Sequence, residues 1–239
     1  MALKKKKKLY EGKTKTIFET EAPEQVIITF RDDSQGNGAK ATTIPGKGAI
    51  AGQISGFLFR VLESFFVPTH FLAPAGKDGM LVRQLEMIPL QFLMHNIASS
   101  SFARRTGAKE GKPLERPVLE YYHKAATARD AGLSRNDTLS TGFVNSNELR
   151  HIERCVSKAN AVLRGVFDRR GLKLESCKLE FGRGKNRIMI GDELSLENLR
   201  LLDAKTGDRL LPSRAANDPA EMQRLYEEAA RKILTEFEK

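Results

Sequence analysis

Tryptophan is absent from this 239-residue chain, there are only four tyrosines, and no run of about 18 apolar residues occurs. The first two facts leave few platforms for stacking bases, which argues against sequence-specific nucleic-acid binding. The third excludes a transmembrane helix, and with no apolar stretch after the basic start, a signal peptide is not expected either. Cysteine is nearly missing: Cys155 and Cys177 have no metal-type spacing and are too few for a disulfide framework, as in a reducing compartment. A cytoplasmic protein that meets no membrane is the expectation.

What is present is ordinary for a globular protein, with 40% hydrophobic and 29% charged residues. The formal charge is +10, but the consecutive Lys4 to Lys8 supply five of those charges. Such a block reads as a solvated tail, so residues 1 to 8 are expected to be disordered. The remaining basic excess suits a site that receives phosphates.

Short strands are predicted at 9 to 11, 15 to 18 and 26 to 30, separated by Gly12 and the Glu21-Ala22-Pro23-Glu24 turn. A helix follows from about Ala49 to Phe66, then a strand pair at 69 to 72 and 80 to 84. Pro89 marks a break and a domain hinge. Helices are predicted from Asn147 to Arg170, stopped by Gly171, and from an Asp218 cap with Pro219 in the first turn and Glu221 completing a capping box. Residues 105 to 117 and 124 to 142 read as loops.

The most informative stretch is Lys178-Leu179-Glu180-Phe181-Gly182, followed by Ile188-Met189-Ile190-Gly191-Asp192-Glu193. As a hairpin turning at Lys185 and Asn186, it puts Lys178 and Glu180 on one face, Leu179 and Phe181 on the other, and Asp192 almost opposite Glu180. Acidic residues on a hairpin are commonly a solvated face or a surface ion pair. A cation beside two carboxylates also suits Mg²⁺ carrying a nucleotide phosphate, because Mg²⁺ takes oxygen ligands from one or two carboxylates plus phosphate. Near the N-terminus, Glu11-Gly12-Lys13-Thr14-Lys15 offers two lysines on one strand face after a glycine, a weak phosphate-binding pattern without Walker spacing. His70, His123 and His151 lack ligand spacing and read as scaffolding, and Ser99, Ser100 and Ser101 read as helix caps or anion contacts.

Taken in order, Glu11 to Lys15, Asp32-Asp33, Gly46-Lys47-Gly48, Pro68-Thr69-His70-Phe71, Asn96-Ile97-Ala98, Lys178 to Gly182, and Asp192-Glu193 with Arg200 resemble the SAICAR synthetase family over nearly the whole chain. The resemblance implies an α/β fold of α+β type in two domains. Residues 9 to 86 would form an antiparallel sheet roofing ATP, and residues 87 to 239 a larger mixed α/β domain, with ATP in the cleft. It implies an ATP- and Mg²⁺-dependent ligase in purine biosynthesis. Carboxyaminoimidazole ribotide would be phosphorylated on its carboxylate and aspartate would displace the phosphate to form an amide. Small-molecule substrates and a homo-oligomer are expected, and no specific nucleic acid. The resemblance assigns Lys13, Lys178, Glu180 and Asp192 to catalysis, with Glu180 and Asp192 holding the metal. Gly12, Lys13, Lys15, Glu86, Met87 and Lys124 join those carboxylates around the nucleotide, and the Leu85 to Leu90 connection is the adenine hinge. His95, Ser101, Arg200 and Arg214 are assigned to the substrate.

The acceptor end departs from the family pattern. Ser176 stands for an aspartate and His95 for an arginine; Leu196 and Glu197 replace Pro-Asp, Ala125 and Ala126 replace Asn-Asp, and Ala51 and Gly52 replace an Asn pair. Pro212 to Ala216 lack most of the usual charges. An arginine fork that grips phosphate two ways and one carboxylate charge are therefore gone. A ligase for another carboxylate or amine stands as the alternative, followed by a non-catalytic nucleotide-binding relative.

Overall fold

In a computed structural model, residues 4–12, 14–34, 42–125, 132–211 and 218–235 are described. The first half builds a five-stranded antiparallel sheet in the order β1 (Lys8–Glu11), β2 (Lys15–Glu19), β3 (Gln25–Phe30), β7 (Gly79–Arg83), β6 (Phe71–Pro74). A short ribbon, β4 (Asp33–Ser34) with β5 (Thr42–Thr43), leads into helix α1 (Lys47–Ser64). That helix packs on β3, β6 and β7 through Ile54, Leu58, Phe59 and Leu62, all with no exposed surface. It starts two residues before the predicted Ala49. Gly46 turns left-handed at φ 80°, and Gly48 lies so close to β3 that a Cβ there would sit 2.7 Å from the Phe30 carbonyl oxygen. The end of the lysine run is less free than a tail: Lys6 N donates to Glu19 O and Glu19 N to Lys7 O, both within 2.9 Å, and Lys8 already belongs to β1.

The second sheet runs β11 (Ile188–Gly191), β10 (Leu172–Arg183), β8 (Glu86–Ile97), β9 (Pro113–His123), and β12 (Leu199–Asp203) also pairs with β10. Helix α4 (Ser146–Asp168) covers this sheet; its Asn145 cap forms a reciprocal box with Glu148, and Gly171 beyond it takes φ 66°. Helix α5 (Pro219–Leu234) packs against α1, capped by Asp218, whose carboxylate accepts from Ala220 N and Glu221 N. The buried apolar residues of both sheets form one continuous cluster.

Three sequence expectations fail for identifiable reasons. Pro89 does not break the chain, because it sits inside β8 where the register with β10 shifts between Glu180 and Gly182, a bulge that needs no amide hydrogen there. Residues 105 to 117 are not all loop: α2 (Ser100–Thr106) enters that range, and β9 begins at Pro113. As an edge strand, β9 tolerates its prolines: Pro113 is its first residue, paired with Ile97, and Pro117 falls in the irregularity between the pairs Ile97–Pro113 and His95–Val118. Residues 124 to 142 contain the short α3 (Arg135–Ser140), stabilised by a Ser134–Asp137 capping box. No described helix is long and apolar enough to cross a membrane.

Candidate functional site

One edge of β10 is divided between two partners. Residues 172 to 177 pair with β12 and residues 180 to 183 with β11, leaving Lys178 at the gap, where its amide donates to Asn198 O at 2.8 Å. The segment from Asp192 to Asn198 is the excursion that joins the two short strands. Alternation buries Leu179 and Phe181 in the core, as predicted, and leaves Lys178 and Glu180 on the opposite face of the strand.

Glu180 is 4% exposed and is held by Gln91 Nε2 at 3.0 Å and Lys124 Nζ at 2.6 Å. Its register partner is Gly191, so Asp192 lies almost opposite Glu180, as the hairpin turning at Lys185 and Asn186 predicts, and a left-handed φ of 63° turns it as it leaves the strand. Asp192 receives the ammonium of Lys15, which also contacts Glu193 Oε1 at 3.2 Å. Burial works against the Lys15 charge, but Asp192, Glu193 and Glu180 outweigh it and raise its pKa above the ordinary lysine value. Burial likewise opposes ionisation of Asp192, and Lys15, Lys124 and His70 reverse that, so its carboxyl titrates below the usual range. Lys15, Lys124, Glu180 and Asp192 are therefore one electrostatic unit. Gly12 N donates to Lys15 O at 2.9 Å and closes the β1–β2 turn that presents Lys15. Lys13 lies outside the described residues.

The clamp on Asp192 comes from the other sheet. Thr69 bridges Ile190 in parallel, His70 N donates to Ile190 O at 2.9 Å and Ile190 N to Pro68 O at 3.0 Å. Burial pushes His70 down to about 3; Asp192 favours its charged form, while Lys15 and Arg83 oppose it. A histidine that folds neutral takes up its proton on unfolding. Stability is thus intact above the ordinary value of 6.5 and is lost as pH falls from there towards 3, by at most about 1.4 kcal/mol per unit. Urea denaturation should show a steeper loss between pH 7 and 4 for the natural chain than for His70→Gln; equal slopes would remove His70 as the cause.

On the hinge side, Met87 and Leu85 press against two glycines: a Cβ on Gly182 would sit 2.7 Å from Leu85 Cβ, and one on Gly191 would sit 3.1 Å from Met87 Sδ. Met87 thus extends the face that carries Glu180. The Glu86 side chain does not join it, being 78% exposed and 3.8 Å from Arg183. A cavity of about 960 Å³ opens beside this link, lined by Gln25, Leu85, Glu86, Arg183 and Met189 among others.

The substrate-side residues form a row across the sheet. His95 on β8, Ser176 on β10 and Arg200 on β12 are register partners, with His95 and Ser176 buried and Arg200 exposed. His95 Nε2 is 2.9 Å from Glu120 Oε2, while its buried Nδ1 has no hydrogen-bond partner. Burial raises the Glu120 pKa, and His95, Tyr122 and Arg105 outweigh it and hold the carboxyl below its usual value. Ser101 Oγ lies 3.2 Å from Ser99 Oγ, and it is Ser99 that caps α2. Ala125 is exposed beside Lys124; Arg214, Ala126 and Ala216 lie outside the described residues.

Sequence reasoning did not single out Lys47, Glu193, Glu197 or Gln91 as site residues. Lys47 did leave a signal: a lysine in the first turn of a helix that has no acidic residue there opposes the helix dipole and implies an outside partner. Among the described residues no cluster of three or more His, Cys, Asp or Glu gathers as a metal site. The pair Glu180 and Asp192, both carboxylates and each facing an ammonium group, fits Mg²⁺ completed by phosphate oxygens and water.

Known proteins resemble this chain over nearly its whole length. The SAICAR synthetase family profile matches residues 8–220. A phosphoribosylaminoimidazole-succinocarboxamide synthase of Desulfitobacterium hafniense is 35% identical over 232 residues, covering 97% of this chain and 98% of that protein. The crystal structure of the corresponding synthase from Ehrlichia chaffeensis superposes with a TM-score of 0.88 at 32% identity, covering 97% of this chain and 100% of the other. A type-2 SAICAR synthetase in complex with ADP superposes at 0.87 with 30% identity, covering 96% and 99%.

Proposed function

The chain belongs to the SAICAR synthetase family, and from that premise we propose that it joins carboxyaminoimidazole ribotide to L-aspartate at the expense of ATP, in purine biosynthesis. The observation that carries the reading is the paired arrangement of Lys15 with Asp192 and Lys124 with Glu180 at the gap in the β10 edge. Each lysine is a cation that a polyphosphate can draw off its carboxylate, and each carboxylate is then free to face a metal. Magnesium bound there would supply neutralising charge across the phosphates, with Glu180 and Asp192 as its protein ligands.

The chemistry needs positioning and charge neutralisation more than a protein nucleophile. Lys15 and Lys124 hold the phosphates in line with the ribotide carboxylate, whose oxygen attacks the terminal phosphorus and releases ADP. The amine of aspartate then attacks the acyl phosphate carbon, and phosphate departs as the amide forms. Lys178, Arg200 and the His95–Ser176 row present the acceptor. Lys13 and Arg214 belong to the same proposal, as phosphate and substrate contacts respectively, and the nucleotide base rests against the Leu85 to Leu90 connection. A division of labour between residues 9 to 86 and 87 to 239, a cytoplasmic location and self-association complete it. The buried, unpaired Cys155 and Cys177 suit a reducing compartment.

ADP release is measured with carboxyaminoimidazole ribotide and aspartate beside a panel of other acids and amines. Turnover with the purine pair is the expected result. Turnover only with another pair overturns the substrate assignment and keeps the ligase class; neither turnover nor Mg-ATP binding overturns both.

A further inference from the structure

Lys47 is 2% exposed and among the largest fully buried side chains of the molecule. Its Nζ donates to Asp33 O at 3.0 Å and meets Glu197 Oε1 at 2.9 Å. Tyr226 on α5 donates its hydroxyl to the same carboxylate oxygen at 2.7 Å. Glu197 N is in turn anchored to Ser195 Oγ at 3.1 Å. Two separated segments, α1 and α5, thus converge on one carboxylate whose side chain is still 37% exposed.

That exposed part belongs to the site. Glu197 precedes Asn198, whose carbonyl accepts from the Lys178 amide, and the Lys178 charge acts on the Glu197 carboxyl. Burial pushes Glu197 up, and Lys47, Tyr226 and Lys178 more than reverse it, so the carboxyl is ionised at neutral pH. Four lysines stand around the gap, and their carboxylates are distributed unequally. Lys15 is paired to Asp192 and Glu193, Lys124 to Glu180 and Lys47 to Glu197, whereas Lys178 has no carboxylate within ion-pair distance among the described residues. Glu197 is a carboxylate on which the Lys178 charge acts, and that group is already held by a buried ammonium and a phenol.

We infer that Lys47 is a positioning residue: by holding Glu197 from beneath, it keeps Lys178 an uncompensated cation for the anionic group of the acceptor substrate. A merely structural ion pair would be replaceable by apolar packing, as buried pairs often are. For a positioning residue, by contrast, the harm done by losing Lys47 depends on Glu197 retaining its charge. Its kinetic consequence rests on the ligase reading above; its electrostatic consequence does not.

Trace acetylation with acetic anhydride, read by peptide mass spectrometry with exposed Lys205 as internal standard, reports the Lys178 amine directly. In Lys47→Met the released Glu197 turns to Lys178, and labelling of Lys178 slows about tenfold, the scale of a close opposite charge. In Lys47→Met/Glu197→Gln the natural rate returns. The KM for the acidic acceptor follows the same pattern, up about tenfold in the single variant and recovered in the double, with KM for ATP unchanged. Unaltered Lys178 labelling in Lys47→Met, or no recovery in the double variant, overturns the positioning role. If circular dichroism shows Lys47→Met to be unfolded, Tyr226→Phe decides: it removes one anchor from Glu197 and should slow Lys178 labelling about threefold, and no change overturns the inference. An enzyme that turns over no acceptor, yet shows the labelling pattern, overturns the ligase reading alone.

Discussion

Asp192→Asn lowers kcat/KM by about 10² to 10³ while leaving the thermal transition close to that of the natural chain, the cost of deleting one preorganised charge at a phosphoryl-transfer centre. The substitution is clean because asparagine tolerates the left-handed backbone that Asp192 adopts at φ 63°, and because Lys15 retains Glu193 at 3.2 Å. Shape and backbone survive; one charge goes. Glu180→Gln gives a loss of the same order, since an amide can still accept from Gln91 through its oxygen. The discriminating measurement is ATP binding titrated with and without Mg²⁺. Both variants should lose most of the metal's contribution to affinity and keep the metal-free component, which the lysines supply. Equal dependence on Mg²⁺ in the variants and the natural chain would contradict the assignment of these carboxylates to the metal.

Phe181→Ala has the opposite profile, costing about 3 to 5 kcal/mol of stability with the catalytic side chains untouched. Phe181 has no exposed surface and meets Phe92 edge to face at 5.3 Å and 84°, and Phe92 repeats that geometry with Tyr121 at 5.9 Å and 83°. Truncation removes the transfer energy of a whole ring and the aromatic pair energy of about 0.5 to 1.5 kcal/mol, while Glu180 on the opposite face keeps Gln91 and Lys124. Against a total stability of about 5 to 15 kcal/mol this is a large fraction, and at about 2 to 4 °C per kcal/mol the melting temperature falls by roughly 10 °C. Calorimetry measures it. A shift under about 3 °C would mean that the cavity collapses and that the core is less tightly specified than its packing implies. The two substitutions sit on neighbouring parts of one hairpin, yet one should alter rate without stability and the other stability without rate.

The hairpin was legible because period-two alternation over Lys178 to Gly182 assigns faces without knowledge of the rest of the fold. The two long helices were equally clear, the Asp218 cap being local chemistry; the Asn145 cap, two residues before the expected start of the other, came only with the structure. Harder features depended on distant segments. Pro89 looked like a break because the bulge that excuses it forms in β8 only against β10, about ninety residues later in the chain. β9 looked like a loop because an edge strand keeps its prolines. His95 and Ser176 were recognised separately, and only the sheet register reveals that they face each other and that Glu120 takes the imidazole nitrogen. Lys47 was visible only as part of a glycine-flanked sequence, since nothing local says that a lysine will be buried under a carboxylate 150 positions away.

The divided edge of β10 has a consequence for how such a protein changes over time. Because β11 and β12 dock independently on the two ends of one strand, the excursion from Asp192 to Asn198 between them can gain, lose or exchange residues without shifting the register of either. In the proposed function, the half of the strand that holds Glu180 answers to the nucleotide, and the half that holds Ser176 answers to the acceptor. A fold wired in this way lets recognition of the second substrate drift while the energy-coupling machinery stays fixed. The substitutions gathered at Ser176, Leu196 and Glu197 lie on the side where such drift is cheapest.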